Sequence, residues 1–383
     1  MGETAGLPQL GKLPPDVFSQ VIYPNLGKKN PRVVVPPTSG VDFGVVELAD
    51  SALIIKTDPV FIVPEYGWEK SAWFAVHILA SDVAVSGSPP MYMAIDLNLP
   101  RAMKREEFEL MWKGISSECE RLGISIVAGH TGVYEGTGYP MLGGATVLSV
   151  APRDGYVTTQ MARPGDKVLI TKGPAVEATG IFSSMFHGYL EKRYGADFAD
   201  RAAEAFYQMS VVRDALTLAK IGLRSGVTSM HDATEYGVWG ALWDIAEASK
   251  NGILVQEDAL IVPDEIRAVL DSFSELTGIK ADPFACISEG TLVATVRPEK
   301  EGQAIQILKE AGIRAWVIGE VTRGPAKVQL AHEGKVREVQ RPAQDPFWPM
   351  FSKALQALGK RQTGCVEKAK QLTTFSRRKS WAR

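Results

Sequence analysis

Short apolar runs separated by stretches with helical spacing make up the first half of the chain. Four such runs predict buried strands, at 52–57, 91–97, 124–128 and 143–150. Between them, apolar residues recur at helical spacing in 70–86 and most clearly in 104–122, where Gly123 provides a suitable helix end. The pattern therefore predicts a mixed α/β domain.

The second half of the chain also mixes strands and helices, but it lacks a strict alternation between them. Helical patterns predict helices at 200–222, 238–250, 263–277 and 299–311. Strands are predicted at 291–297 and 315–321. Because strands and helices do not alternate regularly, the pattern favours an α+β fold over a doubly wound sheet.

The chain of 383 residues is long enough for two domains that each bury a core. Proline and glycine interrupt the apolar pattern at 151–166, which places a domain boundary there. We predict an irregular arm, two domains and a basic tail, at 1–40, 41–155, 156–345 and 346–383. From Lys353 onward the chain contains nine Lys or Arg against one acid. That composition is typical of a solvated terminus, with contact to phosphates or RNA as the alternative.

Charge and composition exclude several classes of protein. The net charge of -2 gives no reason to expect nucleic-acid binding, and no apolar run approaches the roughly 20 residues that span a bilayer. The cysteines, Cys119, Cys286 and Cys365, are far apart and form no CxxC pair, so neither a zinc site nor a disulfide framework is indicated. With no signal-peptide pattern at the N-terminus, we expect a cytoplasmic protein with reduced thiols.

Acidic residues near the predicted strands are the first candidates for chemistry, because the chain has neither a GxxxxGK[ST] nor a GxGxxG phosphate loop. Asp42 lies between a glycine turn and an apolar run, and Asp58 follows the strand at 52–57. An acid in such a position is often only a turn former or a cap. Asp82 lies among apolar residues of a predicted helix, so it is either buried with a partner or faces a site.

His130 completes a possible metal-ligand set with these acids. It follows the strand at 124–128 in a predicted glycine-rich turn. Asp42, Asp58, Asp82 and His130 together are a ligand set expected for magnesium held against a polyphosphate, although imidazole is the less usual member.

A second polar cluster lies in the second half of the chain. His231, Asp232, Thr234 and Glu235 come directly before Gly237 and a predicted helix. Thr234 or Glu235 is suited to capping that helix. Alternatively, the turn and the helix N-terminus bind an anion.

The order of these motifs resembles the AIR synthase superfamily. The order is G-x-D before a strand, T-D after a strand, S-D-V-A-x-S-G-x-P-P, a G-x-T turn, P-G-D and then H-D-A-T-E-x-G. The segments MHDATEYGVWGALWDIAEASKNG, LTGIKADPFACISEGTLVATV and AWVIGEVT resemble the NiFe-hydrogenase maturation branch and its archaeal AIR synthase-related members. The resemblance extends from about Gly11 to Thr322.

The resemblance implies an architecture and a ligand. It implies an α+β, two-domain fold, with an N-terminal α/β domain that forms a β-barrel with a second copy and a C-terminal α+β domain. ATP would lie near the dimer interface, with its phosphates held through magnesium. The positions that match the family's ATP-binding residues are Asp42, Thr57, Asp58, Asp82, Gly129, His130, Thr131, Asp232, Glu235 and Gly237. Asp42, Asp58, Asp82 and His130 are the expected magnesium ligands.

Three departures from the family pattern narrow the expected function. Val41 stands where the first of two paired acids is usual, and His130 stands where an Asp is common, which predicts weaker magnesium binding or a single ion. The chain ends SWAR, without the terminal cysteine motif of the maturation branch, and its last cysteine is Cys365. We therefore expect an ATP-dependent enzyme that either activates a carbonyl-type oxygen or transfers phosphate to a small molecule. A hydrogenase-maturation factor acting on a partner protein and a non-catalytic ATP-binding module are the alternatives.

Overall fold

The computed structural model describes Leu13 and residues 17–359, so Cys365 and most of the basic tail lie outside the described residues. The strands are β1 (Val33–Val35), β2 (Gly44–Leu48), β3 (Ser51–Phe61), β4 (Tyr92–Pro100), β5 (Ser125–Tyr134), β6 (Met141–Pro152), β7 (Lys167–Thr171), β8 (Val227–Asp232), β9 (Gly252–Gln256), β10 (Leu292–Val296), β11 (Ala315–Thr322), β12 (Lys327–His332) and β13 (Lys335–Glu338). The α-helices are α1 (Trp68–Ala84), α2 (Arg105–Leu122), α3 (Val176–Met185), α4 (His187–Tyr194), α5 (Ala196–Glu204), α6 (Val212–Leu218), α7 (Gly237–Ser249), α8 (Asp264–Thr277), α9 (Glu301–Glu310) and α10 (Phe347–Leu358). Among these described helices, none has the length and apolar character needed to cross a membrane.

The strands form two open sheets. The first has six strands in the order β1-β2-β3-β6-β4-β5, and the second has seven in the order β13-β12-β9-β11-β7-β10-β8. In the first sheet only β4 and β5 are parallel, and α2 connects them as a crossover requires. The structure is thus a two-domain α+β fold, and neither sheet closes into a barrel within one chain.

Helix α1 joins the two domains. Its residues are buried on nearly every side, with Ala72, Val76 and Leu79 in the core of the first domain and Trp73 and Phe74 in a core of the second. A helix that is apolar around its whole circumference is expected in such a central position. Asp82, the acid in the middle of this apolar helix, is therefore buried between the two domains.

Most predicted elements of the first domain are present, but two features differ. The strand predicted at 124–128 continues as β5 to Tyr134, so Gly129–Thr131 lie in a strand and not in a turn. The reason is the long parallel pairing with β4, which extends to Tyr134 and sets Asp96 beside His130. In addition, Val33–Val35 of the predicted irregular arm form β1 by pairing with β2.

The helix predicted at 200–222 is wrong as a single element. The segment divides into α5, a short 3₁₀ turn at Ala205–Gln208, α6 and a second 3₁₀ turn at Ala219–Ile221. Side chains of α1 hold the break in place, because His77 Nδ1 lies 2.9 Å from Ser210 Oγ and Ser81 Oγ accepts a hydrogen bond from the Val211 amide at 3.0 Å. Contacts between domains thus override the local helical pattern.

Candidate functional site

A half-buried lysine lies at the centre of the first group of acids. Lys56 on β3 places its Nζ 2.9 Å from Asp82 Oδ2 on α1 and 3.4 Å from Asp58 Oδ2. Lys56 and Asp58 share one face of β3 with the buried Ile54 and Val60, since side chains alternate along a strand. The lysine therefore pairs with two of the predicted metal-binding acids.

Burial and the neighbouring charges shift the pKa of Lys56 in opposite directions. Burial lowers the pKa of Lys56, but the nearby carboxylates of Asp82, Asp58 and Asp42 outweigh burial and raise the pKa above its ordinary value. Burial raises the pKa of Asp82, and Lys56 opposes that rise. Lys56 is thus held as a cation.

A buried histidine connects the loop before β2 to the second domain. His231 on β8 places Nδ1 2.7 Å from Asp42 Oδ2 and Nε2 3.3 Å from Asp244 Oδ2 on α7. Carboxylates only accept hydrogen bonds, so both ring nitrogens of His231 act as donors. Burial lowers the pKa of His231, but Asp42 and Asp244 outweigh it and raise this pKa well above its usual value.

Two further carboxyl groups are buried beside this histidine. Asp232, at the end of β8, is completely buried, and Glu289 lies in the turn before β10. Neither oxygen of Asp232 has a hydrogen-bond donor among the described residues when every carboxyl group is ionised. Burial, with the charges of Asp232 and Asp82, raises the pKa of Glu289 well above its usual value. Burial, with the charge of Asp42, raises the pKa of Asp232 as well.

The donor set of this region suits a divalent cation. Single ligand atoms of Asp42, His231 and Asp232 lie within 4.8 Å of one another. His231 donates through both nitrogens and so has no lone pair for a metal, which leaves the carboxylates of Asp42 and Asp232 as the ligand pair. One or two carboxylates, completed by water and phosphate oxygens, are what magnesium usually uses.

Three members of the predicted set, Asp42, Asp58 and Asp82, lie near Lys56, but His130 lies apart from them in one chain. Cross-strand partners lie on the same face of a sheet, and Asp58 aligns through Ala145 with Ile95 of β4. His130 aligns with Asp96, the next residue of β4, and therefore lies on the opposite face from Asp58. His130 is exposed there, with Nε2 2.6 Å from the Tyr134 hydroxyl.

The remaining predicted residues divide between two places. Thr57 lies on the same face as His130, and its hydroxyl is 2.8 Å from that of Thr146. Glu235 and Gly237 lie where the chain enters α7. Gly237 has a φ of +58°, and a Cβ atom there would lie 2.4 Å from the Cys286 carbonyl oxygen. This approach packs the α7 N-terminus against the segment that leads to Glu289.

Two family models match most of the chain. Residues 40–151 match the AIR synthase related protein, N-terminal domain, and residues 163–330 match the AIR synthase related protein, C-terminal domain. The chain belongs to the AIR synthase-related family.

Solved structures and curated relatives agree with this assignment. The structure is similar to a HypE–HypF complex chain, with a TM-score of 0.64 and 21% identity over 85% of this chain and 99% of that chain. It is similar to the hydrogenase maturation protein HypE in complex with ATP, with a TM-score of 0.61 and 22% identity over 87% and 95%. The carbamoyl dehydratase HypE of Rhizobium leguminosarum bv. viciae is 24% identical over 288 residues, which cover 74% of this chain and 77% of that protein.

Three residues of this site in the AIR synthase-related fold were not predicted from the sequence. Lys56 is the one charged residue in the strand ALIIKT, a signal that its side chain needs a buried partner. Asp244 follows the polar cluster by two helical turns within an apolar helix, which offered a similar signal. Glu289 lies in a Ser-Glu-Gly turn, and nothing local distinguishes it from a solvated turn acid.

Proposed function

We propose that this protein is an ATP-dependent enzyme that binds magnesium–ATP where the first sheet meets the second domain. The observation that carries the proposal is the convergence of Asp42 with Asp232, whose buried carboxylate lacks donors when ionised. The HypE structure in complex with ATP has the same fold and supports the choice of nucleotide. Glu235 and Gly237 keep their predicted role in ATP binding, whereas Thr57, Gly129, His130 and Thr131, on β3 and β5 with Thr57 and His130 on the other face of the sheet, would reach ATP only across a dimer interface.

Each charged residue of the site has a distinct part in this proposal. When bound, magnesium supplies neutralisation of phosphate charge. Asp42 and Asp232 would hold the ion, and Asp58, whose side chain is 35% exposed, is placed to contact a ligand from the first domain. Lys56 keeps Asp58 and Asp82 on one side of the site through its two ion pairs.

Replacing Asp58 with Asn is expected to weaken magnesium–ATP binding by about tenfold or more, since removing a carboxylate near a metal typically costs 10–100-fold in affinity. Isothermal titration of ATP, with magnesium and with chelator, measures the loss. The matched control is Asp50→Asn in the exposed turn between β2 and β3, which should bind like the wild type. Wild-type affinity in Asp58→Asn would remove Asp58 from the site, and wild-type binding that does not change with chelator would refute the metal-bridged arrangement.

The reaction we propose uses ATP to activate a carbonyl-type oxygen or to phosphorylate a small-molecule substrate. A second candidate is a hydrogenase-maturation factor that acts on a partner protein, which the HypE–HypF complex and the carbamoyl dehydratase relative favour. ADP release distinguishes the two, because a small-molecule enzyme turns ATP over with a metabolite pool, whereas a maturation factor requires its protein partner. ATP binding without ADP release under either condition would favour a non-catalytic module.

We also propose that the first sheet forms half of a barrel in a homodimer. Its edge strand β5 is exposed along nearly its whole length, and Val127 and Val133 are 58% and 61% exposed. Met141 at the start of β6 is 56% exposed. Proteins usually protect such edges with charge or with another chain, so a second copy is the proposed cover.

Replacing Val133 with Lys is expected to convert the proposed dimer to a monomer, because a charge on an edge strand opposes pairing with another sheet. Light scattering after size exclusion measures the mass. Val336→Lys is the control, since Val336 is 54% exposed but lies on β13 of the other sheet. A wild type that is monomeric at micromolar concentration, or a dimer unaffected by Val133→Lys, would contradict the proposed interface.

A further inference from the structure

The loop that carries Asp42 is held from the side of the second domain by a chain of charged groups. Asp42 Oδ2 accepts from His231 Nδ1 at 2.7 Å, and His231 Nε2 faces Asp244 Oδ2 at 3.3 Å. The other oxygen of Asp244 accepts from the Arg341 guanidinium at 2.6 Å. These contacts link the proposed metal-binding carboxylate of Asp42, through the His231 imidazole, to the Asp244 carboxylate, which Arg341 holds in place.

The backbone of the same loop rests on Asp244 as well. Gly40 has a φ of +73°, and a Cβ atom there would lie 2.8 Å from the Asp244 carbonyl oxygen and 2.9 Å from its Cβ. The Gly40 carbonyl accepts from Thr159 Oγ1 at 2.6 Å. Helix α7 therefore contacts this loop at Gly40, beside Thr159, and Asp244 of the same helix reaches the Asp42 carboxylate through His231.

The geometry points to Asp244 as a positioning residue that acts on the metal site through His231 and Asp42. Because Asp244 holds Nε2, the His231 ring is fixed with Nδ1 directed at Asp42 Oδ2, and Asp42 Oδ1 is left to face a cation. This inference rests on the proposed magnesium–ATP site. Asp244 itself does not belong to the three residues whose ligand atoms converge there.

Helix α7 supplies a matched control one turn away. Glu247 accepts from the same guanidinium at 2.8 Å, so Asp244 and Glu247 share Arg341. The described hydrogen bonds and ion pairs of Glu247 do not include His231. Comparing the two acids therefore separates an effect through His231 from a general effect of Arg341 pairing.

The experiment measures how much magnesium is needed for half-maximal ATP binding, together with thermal unfolding of each variant. Asp244→Asn is expected to raise the magnesium requirement by about tenfold, the effect typical of residues that orient metal ligands. Its affinity for ATP in chelator should stay at the wild-type value. Glu247→Gln should stay within about twofold of the wild type in both.

A double-mutant cycle tests whether Asp244 acts through the histidine. His231→Gln should raise the magnesium requirement as well, and Asp244→Asn combined with it should add little, since residues of one network are not additive. Two results would overturn the inference even if the wild type binds ATP in a magnesium-dependent way. One is additive effects of the two substitutions, and the other is a magnesium requirement of Asp244→Asn equal to that of Glu247→Gln. Wild-type ATP binding that is absent or independent of magnesium would instead refute the proposed function.

Discussion

Replacing Lys56 with Met is expected to lower the free energy of unfolding by about 3 kcal/mol at pH 7, the cost typical of leaving one partner of a buried ion pair uncompensated. Lys56 is the cation that lies 2.9 Å from the nearly buried Asp82. Without it, Asp82 faces Asp58 and Asp42 with no opposing charge from β3. Urea denaturation of the ligand-free protein measures the change.

The control for this prediction is a more exposed ion pair of similar length, between Lys167 and Glu320. Lys167 lies 3.0 Å from Glu320, with side chains 30% and 42% exposed, so Lys167→Met should cost less than about 1 kcal/mol. The loss in Lys56→Met should also shrink as the pH falls. Without Lys56 the pKa of Asp82 in the folded protein rises further above its unfolded value, so protonation stabilises the folded state at acidic pH. Equal losses for both lysines would contradict the prediction.

Replacing Gly237 with Ala is expected to cost about 3 kcal/mol, from a left-handed backbone and a steric clash together. Its φ is +58°, and an added Cβ would lie 2.4 Å from the Cys286 carbonyl oxygen and 2.8 Å from that of Phe284. Both neighbours are backbone atoms, so rotating a side chain cannot relieve the contact. The helix start must shift, which we expect to weaken ATP binding as well.

Gly278 provides the matched control for this substitution. It follows α8 with a φ of +70°, and an added Cβ there meets no atom within 4 Å. Gly278→Ala should therefore cost only about 1 kcal/mol, the conformational preference of glycine at a helix end. Thermal and urea unfolding of the two variants compare the costs, and similar losses would show that the close approach at Gly237 has no consequence.

In the structure the predicted acids contact different partners from those that the prediction gave them. The prediction grouped Asp42, Asp58, Asp82 and His130 as metal ligands. In the structure Asp58 and Asp82 pair with Lys56, whereas Asp42 approaches Asp232 of the second domain. The departures at Val41 and His130 predict weaker magnesium binding or a single ion, and the magnesium titrations described above test that prediction.

Local patterns in the sequence were enough for most elements of the first domain and for the family. Apolar spacing with Gly123 as a stop is enough for α2, and the apolar run at 52–57 is enough for the first half of β3, because these features depend on residues close together in the chain. The ordered motifs were enough for the AIR synthase-related assignment. Asp82 was recognised because an acid is unusual among apolar residues, whereas Asp42, Asp58 and Asp232 were recognised by their places in the ordered motifs.

Only the tertiary structure decided which of these groups meet. The pairing of β4 with β5 places His130 on the face opposite Asp58, and a one-residue difference in register would have reversed that outcome. The packing of β8 and α7 against the loop at Asp42 brings His231 and Asp244 to it, although they are distant in sequence. Such contacts depend on strand register and domain packing, and no local pattern in the chain encodes either.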